Sequence, residues 1–453
     1  MRHWRRRLEG FTSAPRSNRK SSPLTLAIPE RFRPGIEIVR RLREAGWETY
    51  LVGGVVRDLL LGRPPVDLDI ATAAPVDRVA ALFDRTVPVG VQFGVVAVVL
   101  AEHPYQVATF RREGPYLDGR RPAYVEHGSA LDDVRRRDFT VNALLYDPFT
   151  GEVIDHVGGR ADLVGRCIRT VGPPAERFAE DWLRLLRAVR LAAELQFTVE
   201  PGTRAALADL APTITGVSAE RIRDELVRLL VAPGAADGVL LMAATGLLRA
   251  VLPEVAALSS QPSPHADGPA PDALDYACRV LKCLGPQSPE LAFAALLCRL
   301  PDAAAAGELC RRLRFSTVER RKVVVLVREF QRLSGGACLS AEDARRVLRQ
   351  GAAAGLLALL RADLEAAGGD PAAYLRAAGV LAAHAGSAVE PDRLITGDDL
   401  IAMGYVSGPA FAVMLRAIGE ARARGEVTTA EGARAWVRDR FPAGAARPPV
   451  EPA

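Results

Sequence analysis

The stretch LVGGVVRDLLLGRPPVDLDIAT, residues 51 to 72, brings a glycine pair, an Arg-Asp pair and two alternating carboxylates into one short segment. Val66, Leu68 and Ile70 alternate with Asp67 and Asp69, so a strand here predicts three apolar side chains in a core and both carboxylates on the opposite face. Two neighbouring carboxylates repel each other. A divalent cation held between them removes that penalty and offers a seat for phosphate oxygens. Upstream, Gly53 and Gly54 follow the apolar Tyr50, Leu51 and Val52 and precede a helical reading from Val55 to Leu61, where backbone can approach an anion at a helix start. Taken singly, an Asp-x-Asp is usually a solvated strand face and a Gly-Gly a tight turn. Together they suit a triphosphate and a metal ion.

The elements that must position these groups read as α/β. A helix over Ile36–Gly46 leads into the strand ending at Val52, then the turn, the helix and the carboxylate strand. Pro75–Phe83 predicts a helix, and Gln92–Leu100 and Tyr105–Arg111 predict two strands. By about residue 157 the mixed pattern gives way to helices, Ala175–Leu195, Ala219–Leu230 and Ala236–Leu248 first, and Ala-, Leu- and Arg-rich helices follow to the end. Ser259–Pro271, dense in Pro, Ser and Gly, is the best linker.

Three later segments carry further chemistry. RRDFTVNA, residues 136–143, predicts a helix on which Asp138 and Asn142 share a face as acceptor and mixed donor-acceptor, with Arg136 and Arg137 beside them for phosphate oxygens; an Asp N-cap with solvated arginines is the plainer alternative. EDWLRLLRAVR, residues 180–190, predicts a helix with an apolar stripe of Trp182, Leu185, Leu186 and Val189 and with Asp181 and Arg184 together on another face. Such a pair is commonly a surface salt bridge. In SAERIRDEL, residues 218–226, Arg221 and Arg223 are available for a nucleotide or RNA, and an incomplete capping box at Ser218 is an equal alternative.

Taken together, these segments resemble the class II tRNA nucleotidyltransferase and bacterial poly(A) polymerase branch of the nucleotidyltransferase superfamily, strongly over residues 33–232 and weakly beyond. The resemblance implies an α+β chain: a polymerase-beta-like mixed-sheet head over 33–157, a helical neck over 158–232 that reads the base, a helical body over 233–390 and a helical RNA-binding tail over 391–440, with disordered ends at 1–32 and 441–453. It implies magnesium on Asp67 and Asp69 as the catalytic pair. Gly53, Gly54 and Arg57 would attend the triphosphate, Arg137, Asp138 and Asn142 the sugar and phosphates, and Asp181 with Arg184 the base, with Arg187 and Arg190 of the same segment in support. IDHVGGRADL, residues 154–163, resembles the family's hinge, and RREGPYLDGRRP, residues 111–122, the loop that A-adding enzymes retain.

The activity so implied is addition of CCA to tRNA 3′ ends from CTP and ATP, with pyrophosphate released. A poly(A) polymerase or A-adding enzyme shares the same site, and a catalytically weak RNA-binding homologue is a reading of another class. That last alternative rests on Gln106, which stands where the family commonly has a glutamate; an amide binds metal weakly and cannot accept a proton. Gln106, Arg111 and Arg221 are the supporting residues. The body resembles an HD phosphohydrolase domain without its ligands: Tyr276 stands where a histidine is expected, Cys298 and Arg299 where the HD pair would be, and His265 and Asp267 look like its remains, the lone His265 reading as a surface histidine.

Composition bounds these readings. A chain of 453 residues that is 49% hydrophobic is too long for one ordinary domain and holds three or four modules. A net charge of +5 and a pI of 9.0 fit an acidic partner such as RNA without requiring one. Lysine occurs only at Lys20, Lys282 and Lys322, so the positive charge is almost all arginine. The six cysteines lack CxxC spacing and predict buried thiols in a reducing cytoplasm. No apolar run is long enough for a membrane span, which points to a cytoplasmic protein. Oligomeric state is not legible.

Overall fold

The computed structural model describes residues 26–90, 94–116, 119–120, 122–263, 271–335, 337–369, 371–385, 394–423 and 425–442. His265 and Asp267, and the basic leader up to residue 25, lie outside them.

The head is built from helix α1 (Arg33–Glu44), β1 (Thr49–Val52), α2 (Gly54–Leu60), β2 (Ile70–Thr72), α3 (Val76–Leu82), β3 (Thr86–Gly90), β4 (Val95–Leu100), β5 (His103–Thr109), a small hairpin of β6 (Arg111–Glu113) and β7 (Val125–His127), α4 (Ala130–Arg135), β8 (Leu145–Tyr146) and β9 (Val153–Ile154). Among the described residues, seven of these strands form one mixed sheet in the order β3-β4-β5-β2-β1-β8-β9. β1 runs antiparallel to β2, pairing Leu51 with Ile70, while β2 runs parallel to β5, pairing Ile70 with Val107. The end of β1 and the start of β2 therefore lie side by side, which is why Gly53 and Asp69 meet despite their sequence separation. Residues 26–32, assigned by sequence to a disordered tail, pack on this head: Leu26 and Phe32 are buried, and the Leu26 amide donates to the Tyr146 hydroxyl at 3.1 Å.

Several elements differ from the sequence reading. The carboxylate strand is shorter than its alternation predicts: Leu68 and Ile70 are buried, but Val66 is 79% exposed and the ladder starts only at Ile70. Asp67 and Asp69 thus sit on an extended approach to β2, held by one anchor between them. Leu68 packs so closely beneath α1 that a Cβ on Gly35 would lie 2.5 Å from its Cδ2. Residues 136–143 are not a helix. α4 ends at Arg135, Phe139 bridges to Thr170 as extended chain, and a single 3-10 turn follows over Thr140–Asn142. The helix expected over 175–195 is broken in two, α5 being Gly159–Gly165, α6 Pro174–Glu180 and α7 Arg184–Leu195, because Asp181 is extended with φ −144° and ψ 105°.

The neck continues with Pro201–Leu210 and α8 (Ala219–Leu230), and helices follow through Ala273–Leu284, Pro289–Leu297 and Ala303–Arg312. These belong to one compact unit made of the chain up to Gln331 together with Ala358–Asp370. The second unit, Arg332–Leu357 and Pro371–Ala453, has its own apolar core of Ile395, Leu400, Met414, Ile418, Ala421, Val427, Ala433 and Val437. No helix among the described residues is long and apolar enough to cross a membrane. The cysteines only partly match expectation: Cys278, Cys298 and Cys310 are buried, Cys283 and Cys338 are exposed, and all six are free thiols.

In the body, the residues at the expected metal-ligand positions close on one another. Tyr276 and Arg299 both donate to the same Asp363 oxygen at 2.7 Å, and the Arg299 guanidinium lies 4.7 Å over the Tyr276 ring. A mostly buried guanidinium so paired loses its compensation when the carboxylate is removed. Asp363→Ala should lower the unfolding free energy by about 3 kcal/mol in urea titration; a change under about 0.5 kcal/mol would show the pair to be solvated and dispensable.

Candidate active site

Asp69 sits at the mouth of the site as a partly exposed carboxylate that makes no hydrogen bond among the described residues. Burial by its surroundings pushes its pKa above the ordinary aspartate value; the Arg137 guanidinium opposes this and the nearby Asp67 reinforces it. Asp67 is exposed on the other side of the Leu68 anchor. Across from Asp69, Gly53 has φ +79° and ψ −139°, a region open to glycine. A Cβ there would sit 3.3 Å from Arg137 Nη1 and 3.6 Å from Asp69 Oδ2. The missing side chain leaves a gap between a cation and an unsatisfied carboxylate at the start of α2, a place shaped for a group carrying negative oxygens and a positive ion.

The donors around that gap are held from behind. Arg57 donates to Asn142 Oδ1 at 2.6 Å and pairs with Asp58 at 2.8 Å, so the 3-10 turn at Asn142 is tied to α2. Asp138 is buried and accepts from Arg187 Nε at 2.9 Å and from the Phe139 amide at 2.8 Å, with Asn142 Nδ2 at 3.5 Å. Burial alone would raise the Asp138 carboxyl, but the Arg187 and Arg184 guanidiniums more than offset it and hold it down at about 2. Asp138 and Asn142 therefore do converge, through a 3-10 turn instead of a shared helix face.

The same holds for Asp181 and Arg184, which lie on either side of a helix break. Asp181 Oδ1 accepts the Leu183 amide at 3.1 Å and its Oδ2 accepts from Arg221 at 2.8 Å. Arg184 is buried, bonded to Glu180 and, at 2.9 Å, to the Arg177 carbonyl. Trp182 fixes the break: a Cβ on Gly119 or on Gly216 would come within 2.3 Å of its ring, and its amide donates to the Gly119 carbonyl at 3.2 Å. Arg136, Arg137, Asp138, Asp181, Arg184 and Arg187 together line a cleft of about 250 Å³.

Not every residue singled out by sequence joins this cleft. Arg190 turns away to Glu225 and Glu194. Arg111 pairs with Glu113 at 2.7 Å in the β6–β7 hairpin. Gln106 is exposed, one residue before Val107 on β5 as Asp69 is one before Ile70, so the two side chains point to the same face of adjacent strands. Ser218 makes no side-chain cap, and Arg221 is committed to Asp181 instead. One residue went unnoticed in the sequence: Asp133, completely buried, pairs with both Arg136 and Arg137. Its spacing, i+3 and i+4 from two adjacent arginines, was the available signal.

The chain is similar to known proteins in two stretches of its sequence and in its fold. Residues 49–169 match the poly A polymerase head domain, and residues 196–258 match the probable RNA and SrmB-binding site of polymerase A. Residues 49–169 of the chain are thus similar to a poly A polymerase head domain. Among curated proteins the chain is similar to CCA-adding enzymes, with 43% identity over 225 residues to that of Lactobacillus johnsonii, covering 49% of this chain and 56% of the relative. To that of Geobacillus stearothermophilus it is 45% identical over 231 residues, covering 51% and 57%. The matched part thus spans little more than half the length of these relatives. The Bacillus stearothermophilus CCA-adding enzyme solved in complex with CTP superimposes with a TM-score of 0.63 and 29% identity, over 91% of this chain and 98% of that one.

Two outcomes follow. Gly53→Ala forces an alanine into a glycine conformation and fills the gap beside Asp69, so it should destabilise by about 1–3 kcal/mol in urea titration; an unfolding free energy within about 0.5 kcal/mol of the wild type would show that the position tolerates a side chain. Because the Asp69 pKa is raised in the folded chain, its contribution to stability is present in acid and is lost as pH rises through that raised value. Asp69→Asn should accordingly raise the melting temperature of the metal-free protein at pH 8 and leave it little changed at pH 4. An equal shift at both pH values would contradict the burial argument.

Proposed function

We propose that this chain is a template-independent tRNA nucleotidyltransferase that adds CCA to tRNA 3′ ends from CTP and ATP and releases pyrophosphate. The observation that carries the reading is a cleft lined by Arg137, Asp138, Asp181, Arg184 and Arg187, whose Arg137 also reaches the glycine gap beside the Asp69 carboxylate. The likeness to CCA-adding enzymes, one of them solved with CTP, supports it.

Among the described residues no group of three or more His, Cys, Asp or Glu side chains could hold a metal by itself. The Asp67 and Asp69 carboxylates, the second raised in pKa and accepting no side-chain hydrogen bond among the described residues, nevertheless fit a divalent ion by the chemistry of their oxygens. Asp67 and Asp69 would hold magnesium, which supplies charge neutralisation for the phosphates. Arg137 and Arg57, with the backbone at Gly53 and Gly54, bind the triphosphate. Asp138 and Asn142 hold the ribose. The primer 3′-hydroxyl oxygen forms a bond to the α-phosphorus as the bond from that phosphorus to the oxygen it shares with the β-phosphate breaks, pyrophosphate leaves and the hydroxyl proton passes to solvent, a displacement that gains chiefly from positioning and charge neutralisation.

Base choice follows from the acceptor and donor at Asp181 and Arg184. A carboxylate accepts from the exocyclic amine of cytosine or adenine while the guanidinium donates to the neighbouring ring nitrogen. Uracil and guanine put a carbonyl oxygen where the amine should be, and two acceptors then face each other with no hydrogen between them. Arg221 occupies only one lone pair of Asp181 Oδ2, leaving acceptor capacity for an amine.

Gln106, exposed beside Asp69, favours a second reading: an RNA-binding homologue with little catalysis. Purified protein with tRNA lacking CCA, magnesium and each nucleotide in turn separates these. The proposal expects CTP then ATP incorporation ending after three nucleotides, lost in Asp67→Ala. A long A tract would mean a poly(A) polymerase, and tRNA binding without incorporation the second reading.

A further inference from the structure

Asp133 has no place in the chemistry above, yet it is completely buried and its two oxygens are divided between two neighbouring arginines. Oδ1 accepts from Arg136 Nε at 2.9 Å; Oδ2 accepts from Arg137 Nη2 at 2.9 Å and Nε at 3.3 Å. The two guanidiniums then diverge. Arg137 reaches to within 3.3 Å of the empty Cβ position of Gly53 and lowers the pKa of Asp69, and its Nη1 donates to the Asn142 carbonyl at 3.4 Å. Arg136 turns the other way, pairing with Glu113 at 3.3 Å and bordering both the 250 Å³ cleft and a second cleft of about 360 Å³ that Tyr116, Arg184 and Arg221 also line.

Adjacent arginines repel, and nothing in an exposed Arg-Arg pair sets the distance between them. A buried carboxylate that each must approach from one side does set it. The end of α4 at Arg135 makes this possible: beyond the last helical residue, the i+3 and i+4 side chains still reach back to Asp133, while the chain itself turns into the extended Phe139. Burial raises the Asp133 carboxyl, yet Arg137 and Arg136 together bring it below the ordinary value, so it is an anion in the folded chain.

We propose that Asp133 is a positioning residue that acts through Arg137 and Arg136, fixing the phosphate-side and base-side cations of the nucleotide cleft at a set separation. This rests on the nucleotide-binding reading of the cleft. It predicts a loss of CTP affinity with no requirement that turnover of bound nucleotide change.

The test is a double-mutant cycle of Asp133→Asn with Arg137→Gln, reading CTP binding by calorimetry in magnesium alongside KM and kcat for CTP incorporation. Asp133→Asn should raise the CTP dissociation constant and KM about tenfold or more with kcat within about threefold, and the double variant should be no worse than Arg137→Gln alone by more than about threefold. Additive losses, or a fall in kcat with KM unchanged, would overturn the proposal. Should Asp133→Asn fail to fold, the neutral variant Asp133→Asn/Arg136→Gln/Arg137→Gln replaces the whole triad by near-isosteres; wild-type CTP affinity in that protein would equally overturn it. If the unaltered chain binds CTP but incorporates none, the proposed activity fails while the binding arm still decides the role of Asp133.

Discussion

The site depends on unequal treatment of its carboxylates. Asp133 is buried between two guanidiniums and Asp138 between the Arg187 guanidinium and the Phe139 amide, and both are held below the usual aspartate range. Asp69, which feels Arg137, accepts no side-chain hydrogen bond among the described residues and is pushed the other way by burial. A desolvated carboxylate with no donor is costly, and a fold can dispose of that cost by adding an arginine or by leaving room for a cation from outside. Here Arg137 stands near enough to be felt but is tied to Asp133, and the space beside Asp69 is kept open by Gly53.

Everything around that gap is arranged to hold donors still. Two ion pairs and one hydrogen bond link elements distant in sequence: Arg187 of α7 to Asp138, Arg221 of α8 to Asp181, and Arg57 of α2 to the Asn142 amide oxygen. Each brings a helix to bear on the cleft, so the cleft is a product of tertiary packing. Trp182, wedged against Gly119 and Gly216, holds the helix break that aims Asp181 inward.

The chemistry was legible in the sequence to the extent that it lay in local pattern. The glycine pair before α2, the Asp-x-Asp with its apolar partner Leu68, and the mixed order of strands and helices could be read because spacing and alternation determine them. What misled was the assumption of continuous periodicity. Asp138 with Asn142, and Asp181 with Arg184, were placed together by helical spacing, and the chain places them together by a 3-10 turn and by a break at Asp181. The break has no proline or glycine to announce it; it is held by the contact of Trp182 with residues far along the chain, which a local reading does not see. Val66 similarly fits the alternation and yet lies in solvent, because the ladder that would bury it begins only at Ile70. Asp133 was overlooked because an Asp before an arginine run looks like an ordinary helix-end charge; its burial is what distinguishes it.

The central claim is that Asp67 and Asp69 together seat a divalent ion against the phosphates of a ribonucleotide whose base lies at Asp181 and Arg184. A crystal structure of the full chain with CTP and manganese, located by its anomalous signal, tests this most directly. The account predicts one anomalous peak bonded to oxygens of both carboxylates and to the triphosphate. A peak remote from Asp69, or a cytosine bound away from Asp181, would contradict it.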